Sequence, residues 1–323
     1  GLVDRYAAGL RARGVRHGSV VAMMLENSPR FLFMALALGR LGAVYVPINL
    51  AFKRASLRHV LAQSGAALLA VDGALLDRVG EVAGELPALE TLLVEGLDRA
   101  RVPEPLRSLE VDELAELESA PAEPGAPASE AETFDPWCIM FTSGTTGPAK
   151  GAVMTHQYWY LVPAGLAGPE RAVRADDVFY VSSPMFHAAA WLVQIFPALF
   201  LGLPVAIDRG FSTSRFWDRV RHYGATQLLT MGATHLWLYK QDPTPADADN
   251  PARVWAPVPL PGDLWEPFKA RFGIEHLWST YGGTEFMSVT ATDVRRPTKP
   301  GSSGRARPSV ELAVLDDWGR PVP

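Results

Sequence analysis

Residues 141–151 read Phe-Thr-Ser-Gly-Thr-Thr-Gly-Pro-Ala-Lys-Gly, and their types are those of a phosphate cradle. Thr142, Ser143, Thr145 and Thr146 offer hydroxyl donors, Gly144 and Gly147 let the backbone turn its N–H groups toward an anion at close range, and Lys150 adds a point charge. The loop follows an apolar run, Trp137–Phe141, that reads as a strand. A Walker-type loop is excluded, because its pattern requires glycine at 149 and a hydroxyl at 151 where this chain has Ala149 and Gly151. No side chain after the lysine can hold magnesium, so that ligand must come from elsewhere. A flexible Ser/Thr/Gly linker would have a similar composition, but linkers are rarely flanked by a buried strand and carry no single placed lysine.

Two further segments extend the pattern: Pro-Met-Phe-His at 184–187 and Ser-Thr-Tyr-Gly-Gly-Thr-Glu at 279–285. In this order and spacing the three motifs resemble the adenylate-forming superfamily of acyl- and aryl-CoA ligases, adenylation domains of non-ribosomal synthetases, and luciferases. The resemblance covers essentially the whole chain. It implies an α/β fold with two mostly parallel β-sheets flanked by helices, followed by the start of a small β-barrel subdomain. The implied chemistry is ATP-dependent activation of a carboxylic acid to an acyl-adenylate with release of pyrophosphate, then thioester formation with coenzyme A, with Mg2+ as the metal.

Roles follow from the resemblance residue by residue. Thr142 through Gly147, with Lys150, would hold the β- and γ-phosphates. Ala256, Pro257, Thr280, Tyr281, Gly282, Gly283 and Thr284 would surround AMP, with Tyr281 stacked on adenine and Thr284 bonded to the α-phosphate. Glu285 would hold the magnesium, for which a carboxylate is a suitable hard oxygen ligand. His187 would border the acyl pocket and gate it near the reacting carboxylate, with Trp191, Met231, Gly232 and Gly283 as further pocket residues. His187, Thr284 and Glu285 form the implied catalytic set. Trp237 and Met287 are further pocket candidates, although for Trp191, Met231, Trp237 and Met287 alike, aromatic and methionine residues at such spacing are more often plain core. A lone histidine among apolar residues also suits a structural role. The other six histidines (17, 59, 156, 222, 235 and 276) show no paired ligand spacing, which argues against zinc.

The chain departs from the family pattern at two places. Ala256-Pro257-Val258 stands where most members carry a Gly-Gly-Ala/Ser turn against adenine, and the phosphate loop has Gly-Pro-Ala-Lys in place of the commoner Gly-x-Pro-Lys. Both changes are similar to the branch containing crotonobetaine or carnitine CoA ligases. The acid itself stays open, and so do two alternatives to the CoA ligase: a carrier-protein-loading adenylation domain, and a non-catalytic module that binds ATP or AMP.

The elements that must position these residues alternate between helix and strand. Val3, Tyr6, Ala7 and Leu10 share a helical face that Gly14 ends, and strand 19–25 follows. Ser28 reads as an N-cap with Pro29 at the first helical position of an apolar helix running to Gly42. Strand 43–46, a helix after Ser56 and strand 67–71 continue the series. In the second half, Phe216, Trp217, Val220 and Tyr223 line a helix closed by Gly224, strand 225–230 follows, and a helix ending at Gly273 precedes strand 274–278. Residues 188–207 carry no charge, but Gln194, Pro197, Gly202 and Pro204 interrupt them, so a buried helix and a core strand at 204–207 read better than a membrane span. The expected division is 1–117 and 136–290 as α/β parts, 118–135 as a Pro-, Ala- and Glu-rich solvated linker, and 291–323 as the start of a β unit. Asp316-Asp317-Trp318-Gly319 marks a hairpin in that unit.

Bulk composition excludes several classes. The net charge of −5 argues against a nucleic-acid binder, and 48% hydrophobic residues are ample for a large core. The single cysteine, Cys138, excludes a disulfide framework, suits a reducing cytoplasm, and reads as a small buried hydrophobe. The expected partners are a small carboxylic acid and CoA, with room for a homodimer and without a transmembrane segment. The resemblance stops at Gly319-Arg320-Pro321-Val322-Pro323, so the small C-terminal domain and its catalytic lysine are expected to lie outside these 323 residues, as is the strand pair that normally precedes the first helix. Closure of such a domain assembles the site. These residues alone are therefore expected to bind nucleotide and acyl ligand weakly and to turn over several orders of magnitude more slowly than a chain that includes it.

Overall fold

The apolar face read at the start of the chain forms helix α1 (Leu2–Ala12), which buries Tyr6, Ala7 and Leu10. The structure, a computed structural model, describes residues 1–121, 129, 131–142, 147–286, 288–308 and 310–322. Ser143, Gly144, Thr145, Thr146 and Met287, all named above as candidates, lie outside the described residues, as does much of the 118–135 stretch.

Two compact units divide the chain, the first comprising residues 1–161 and 184–188. Its strands are β1 (Val20–Met24), β2 (Val44–Pro47), β3 (Leu68–Asp72), β4 (Thr91–Glu95), β5 (Glu110–Glu113), β6 (Pro136–Thr142) and β7 (Lys150–Thr155). They form one sheet in the order β5-β4-β3-β1-β2-β6-β7, parallel except for the antiparallel pair β6–β7. The helices are α2 (Pro29–Arg40), α3 (Arg54–Ser64), α4 (Leu76–Gly80) and α5 (His156–Leu166), the last turn of which belongs to the second unit. Because parallel strands are covered on both faces, β1 to β4 read as near-continuous apolar runs, and Met23, Met24, Val46, Leu69, Val71, Leu92 and Val94 are buried.

Ser28 caps α2 as its sequence predicts: its Oγ accepts from the Phe31 N–H at 3.1 Å, with Pro29 at the first helical position. Ser28→Ala should therefore cost about 1 kcal/mol of stability, measurable as a lowered denaturant midpoint with an unchanged slope. The third helix begins at Arg54, two residues before the Ser56 expected to precede it, and Gly65 ends it with φ +64.

The second unit comprises residues 162–183 and 189–323. Strands β8 (Phe179–Val181), β9 (Val205–Ile207), β10 (Gln227–Met231), β11 (Val254–Val258) and β12 (His276–Leu277) form an all-parallel sheet in the order β12-β11-β10-β8-β9. The uncharged stretch 188–207 becomes a π-helical turn, Ala190–Ile195, then α6 (Phe196–Leu201) and β9. Among the described residues no helix is long and apolar enough to cross a membrane. Helices α7 (Phe216–Tyr223), α8 (Thr234–Tyr239) and α9 (Trp265–Phe272) complete the layers. Trp255 on β11 is fully buried, with its ring centroid 4.6 Å from Phe268, 5.4 Å from Phe272 and 5.8 Å from Phe216, and its Nε1 donates to Thr230 Oγ1 at 2.8 Å.

The chain then leaves the parallel pattern for a small antiparallel sheet of β13 (Thr280–Tyr281), β14 (Thr290–Ala291) and β15 (Arg305–Ala306). A hairpin of β16 (Val314–Leu315) and β17 (Pro321–Val322) turns at the Asp-Asp-Trp-Gly sequence expected to make it. Among the described residues these strands do not close into a barrel.

The division falls at residue 161 and not in the 118–135 stretch, because β6 pairs with β2 through Tyr45↔Cys138 and so joins the first sheet. Ala256-Pro257-Val258, which stands where most family members carry a turn, is the end of strand β11, since these residues pair in parallel with Leu229-Thr230-Met231 of β10.

Candidate active site

In the first unit, the phosphate-loop sequence joins β6 to β7, where Thr142 pairs with Lys150 and Phe141 with Gly151. Thr142 Oγ1 donates to the Lys150 carbonyl at 3.4 Å. Lys150 and Gly147 are exposed, and among the described residues Lys150 has no salt-bridge partner. A cation on a fixed strand end without a carboxylate beside it is available to an anion. The Ala149 carbonyl, whose residue displaces the glycine of a Walker loop, lies 2.8 Å from His59 Nε2. Gly151 is glycine for a packing reason: a Cβ there would come within 2.8 Å of Ile139 Cγ2, because the β6 side chains close over the strand. The hydroxyl that a Walker loop needs at this place has no room.

His187 belongs to the same unit and ends a tight turn in which its N–H donates to the Pro184 carbonyl at 3.0 Å. The Met185 N–H donates to Asn27 Oδ1 at 2.7 Å, which ties the turn to the segment between β1 and α2. Asn27 carried no motif in the sequence; its role depends on a contact with a residue far along the chain. The imidazole is open to solvent on one side, and desolvation on the rest lowers its pKa, so it is neutral at pH 7.

The other candidates lie in the second unit. Thr280 is buried, with its Oγ1 donating to the Thr290 carbonyl at 2.7 Å and 2.9 Å from Ser288 Oγ. The Val289 N–H donates to the Tyr281 carbonyl at 2.9 Å. This base holds up an open tip: Tyr281 is 56% exposed, with Phe286 6.2 Å away ring to ring. Gly282 is exposed and Gly283 half-buried, and a Cβ at 283 would meet the Phe286 ring at 2.8 Å. Thr284 and Glu285 sit in a single 3-10 turn, Thr284–Phe286, with Glu285 exposed and, among the described residues, unpaired. Sequence reasoning missed Ser288, which supports this tip from a left-handed φ of +60; a serine in that conformation has no sequence signature.

The remaining candidates are scattered in environment. Ala256 and Pro257 are buried in β11, and Trp191 is fully buried in the π-helical turn, an irregularity often found at functional sites. Met231 is half-buried at the end of β10, and the Gly232 N–H that follows donates to the Val258 carbonyl at 3.0 Å. Trp237 is 50% exposed, 6.1 Å from the Phe211 ring. Cys138 is fully buried, and burial raises its thiol pKa well above the usual value, which fits a packing role and no nucleophile.

Burial lowers the pKa of two further histidines, His156, stacked on Trp137 at 4.9 Å, and His235, which is fully buried. A depressed folded-state pKa means that below about pH 6.5 the unfolded chain takes up protons that the folded one does not, so stability is lost as pH falls. The urea midpoint should fall between pH 7 and pH 5.5 and stay level between pH 8 and pH 7; a midpoint that rises on acidification would contradict these burials.

The chain belongs to the AMP-binding enzyme family, which matches residues 2–323. It is 32% identical over 320 residues to the medium/long-chain-fatty-acid–CoA ligase FadD6 of Mycobacterium tuberculosis, covering 99% of this chain and 51% of that protein. It is 31% identical to rat long-chain fatty acid transport protein 2, covering 90% of this chain and 46% of the relative. Among solved structures, an anthranilate CoA ligase in complex with anthranoyl-AMP superposes with a TM-score of 0.89 at 21% identity, covering 100% of this chain and 61% of that one, which shows the fold. The chain thus spans about half the length of the curated relatives it matches. Their fatty-acid names give the similarity to the carnitine branch no support.

Proposed function

We propose that this chain carries the nucleotide- and acid-binding part of an AMP-forming acyl-CoA ligase. The observation that carries the reading is the 280–285 segment, whose buried hydroxyl base fixes an exposed aromatic face and an unpaired carboxylate side by side. Tyr281 stacks on adenine, Thr284 donates to the α-phosphate, and the Ser/Thr/Gly sequence with Lys150 holds the outer phosphates. A carboxylate oxygen attacks the α-phosphorus, the bond from that phosphorus to the bridging oxygen breaks, and pyrophosphate leaves. The CoA thiol then attacks the acyl carbonyl and AMP departs. The chemistry asks for charge neutralisation and alignment and for little covalent participation.

Magnesium fits the residues present. Among the described residues no three His, Cys, Asp or Glu side chains gather to form a protein cage, whereas Glu285 offers one free carboxylate. One or two carboxylates with phosphate oxygens and water are the usual magnesium shell, and there the ion would offset charge on the phosphates. The names of the relatives point to a medium- or long-chain fatty acid as the substrate class, and a cytoplasmic site of action is consistent with the single buried thiol.

The test is ATP–pyrophosphate exchange driven by a panel of acids from acetate to palmitate, followed by presentation of CoA and of a phosphopantetheinyl carrier protein as acceptors. Fatty-acid-dependent exchange with transfer to CoA is expected. Transfer to the carrier alone would make the chain a carrier-loading adenylation domain, and no exchange with any acid would reduce it to a nucleotide-binding module.

A further inference from the structure

Within the second unit, a cavity of about 680 Å³ opens between residues 291–308 and the stretch from Gly165 to Glu170. Five cationic side chains, Arg295, Arg296, Lys299, Arg305 and Arg307, line it against two acidic ones, Glu170 and Asp293. The charges are not paired off. Asp293 is committed to Arg295, with both oxygens at 2.8 Å, and lies 3.4 Å from Arg296. Among the described residues the Arg307 side chain donates to a hydroxyl, Ser288 Oγ at 3.3 Å, and the Lys299 and Arg305 side chains have no hydrogen-bond or salt-bridge partner.

The backbone that presents these cations is held in place. Ala291 pairs with Arg305 and Thr290 with Ala306, the Ser302 N–H donates to the Lys299 carbonyl at 3.0 Å, and Thr290 Oγ1 donates to the Ser303 carbonyl at 2.8 Å. A place is also kept clear for Arg307. Its guanidinium occupies the position where a side chain at Gly165 would stand, so glycine at 165 admits it to the wall of the cavity. Glu170 acts on the Arg307 guanidinium electrostatically but forms no salt bridge with it among the described residues, and a half-buried guanidinium so placed, flanked by two exposed cations, gains more from an anion than a fully hydrated surface charge would.

We propose that this cavity is a second anion site, taking a small molecule with two or more phosphate groups on Lys299, Arg305 and Arg307. Three cations with no salt bridge among the described residues, spread along one wall in a space too large for a single phosphate, set that class. The same chemistry is offered by inorganic pyrophosphate and by the phosphorylated adenosine end of CoA. The anion site stands on its own geometry, and only the CoA source rests on the function proposed above.

The test is calorimetric titration of the Lys150→Ala protein, in which the phosphate loop is weakened, with inorganic pyrophosphate and separately with CoA. Both probes are expected to bind. Adding Lys299→Glu and Arg305→Glu together should weaken binding at least about tenfold, as expected for losing two charge-assisted contacts. Both side chains are exposed, so the thermal midpoint should not move. In the wild-type background the same pair should reduce two pyrophosphate sites to one, a reading that does not depend on the Lys150 variant. Tighter binding of CoA than of pyrophosphate assigns the site to the nucleotide source, and the reverse to the inorganic one. Failure of both probes to bind the Lys150→Ala protein, or binding untouched by the double charge reversal, would overturn the proposal. Acid-dependent pyrophosphate exchange reads the proposed reaction separately, so loss of one result leaves the other standing.

Discussion

Lys150→Ala is expected to weaken ATP binding by about 10- to 150-fold and to leave AMP binding nearly unchanged. The factor corresponds to the roughly 1.5 to 3 kcal/mol of a hydrogen bond to a charged group. The asymmetry follows from place: Lys150 starts β7, opposite Thr142 at the foot of the Ser/Thr/Gly sequence, is exposed, and has no carboxylate to neutralise it among the described residues. A lysine serving the outer phosphates has nothing to offer AMP. Calorimetry with the two nucleotides checks this, and equal losses for both would place the lysine on the α-phosphate or on the fold.

Glu285→Gln should remove the magnesium dependence of ATP affinity and slow pyrophosphate exchange by about 10²- to 10³-fold, the scale on which a single preorganised electrostatic group acts. Adenosine binding should survive, because the substitution keeps the shape of the turn and Tyr281 is untouched. The carboxylate is exposed and unpaired among the described residues, so the change removes charge without stranding a buried partner. Thr284→Ala should instead weaken an acyl-adenylate analogue. A Glu285→Gln protein that keeps its magnesium dependence would move the metal ligand elsewhere.

The sequence made most of the fold legible because parallel sheets announce themselves. Strands covered on both faces are apolar throughout, as β1 and β11 are, and their helices carry caps that report their ends, as Ser28, Gly224 and Gly273 do. The unit boundary was not legible. Strand β6 looks the same whether it joins the sheet before it or the one after it, and only its pairing with Tyr45 decides. At Ala256-Pro257 the family's turn masked a plain strand signal, an apolar run that continues β11. In the candidate site, the tip residues from Tyr281 to Glu285 were readable as types and spacing. The groups that hold them were not: Ser288 and Arg307 act through side-chain hydrogen bonds and a rare backbone conformation, and in the first unit Asn27 holds the His187 turn through a hydrogen bond to a residue distant in the sequence.

The central claim is that a carboxylate oxygen attacks the α-phosphorus of ATP, and oxygen labelling tests it most directly. The protein would be given ATP, magnesium, CoA and a medium-chain fatty acid labelled with oxygen-18 in both carboxylate positions, and the phosphate-containing products read by mass spectrometry. Attack at the α-phosphorus leaves the bridging carboxylate oxygen on AMP, so AMP carrying one heavy oxygen, beside unlabelled pyrophosphate, is the predicted result. Heavy oxygen in inorganic phosphate with formation of ADP would show attack at the γ-phosphorus through an acyl phosphate, and would contradict the account.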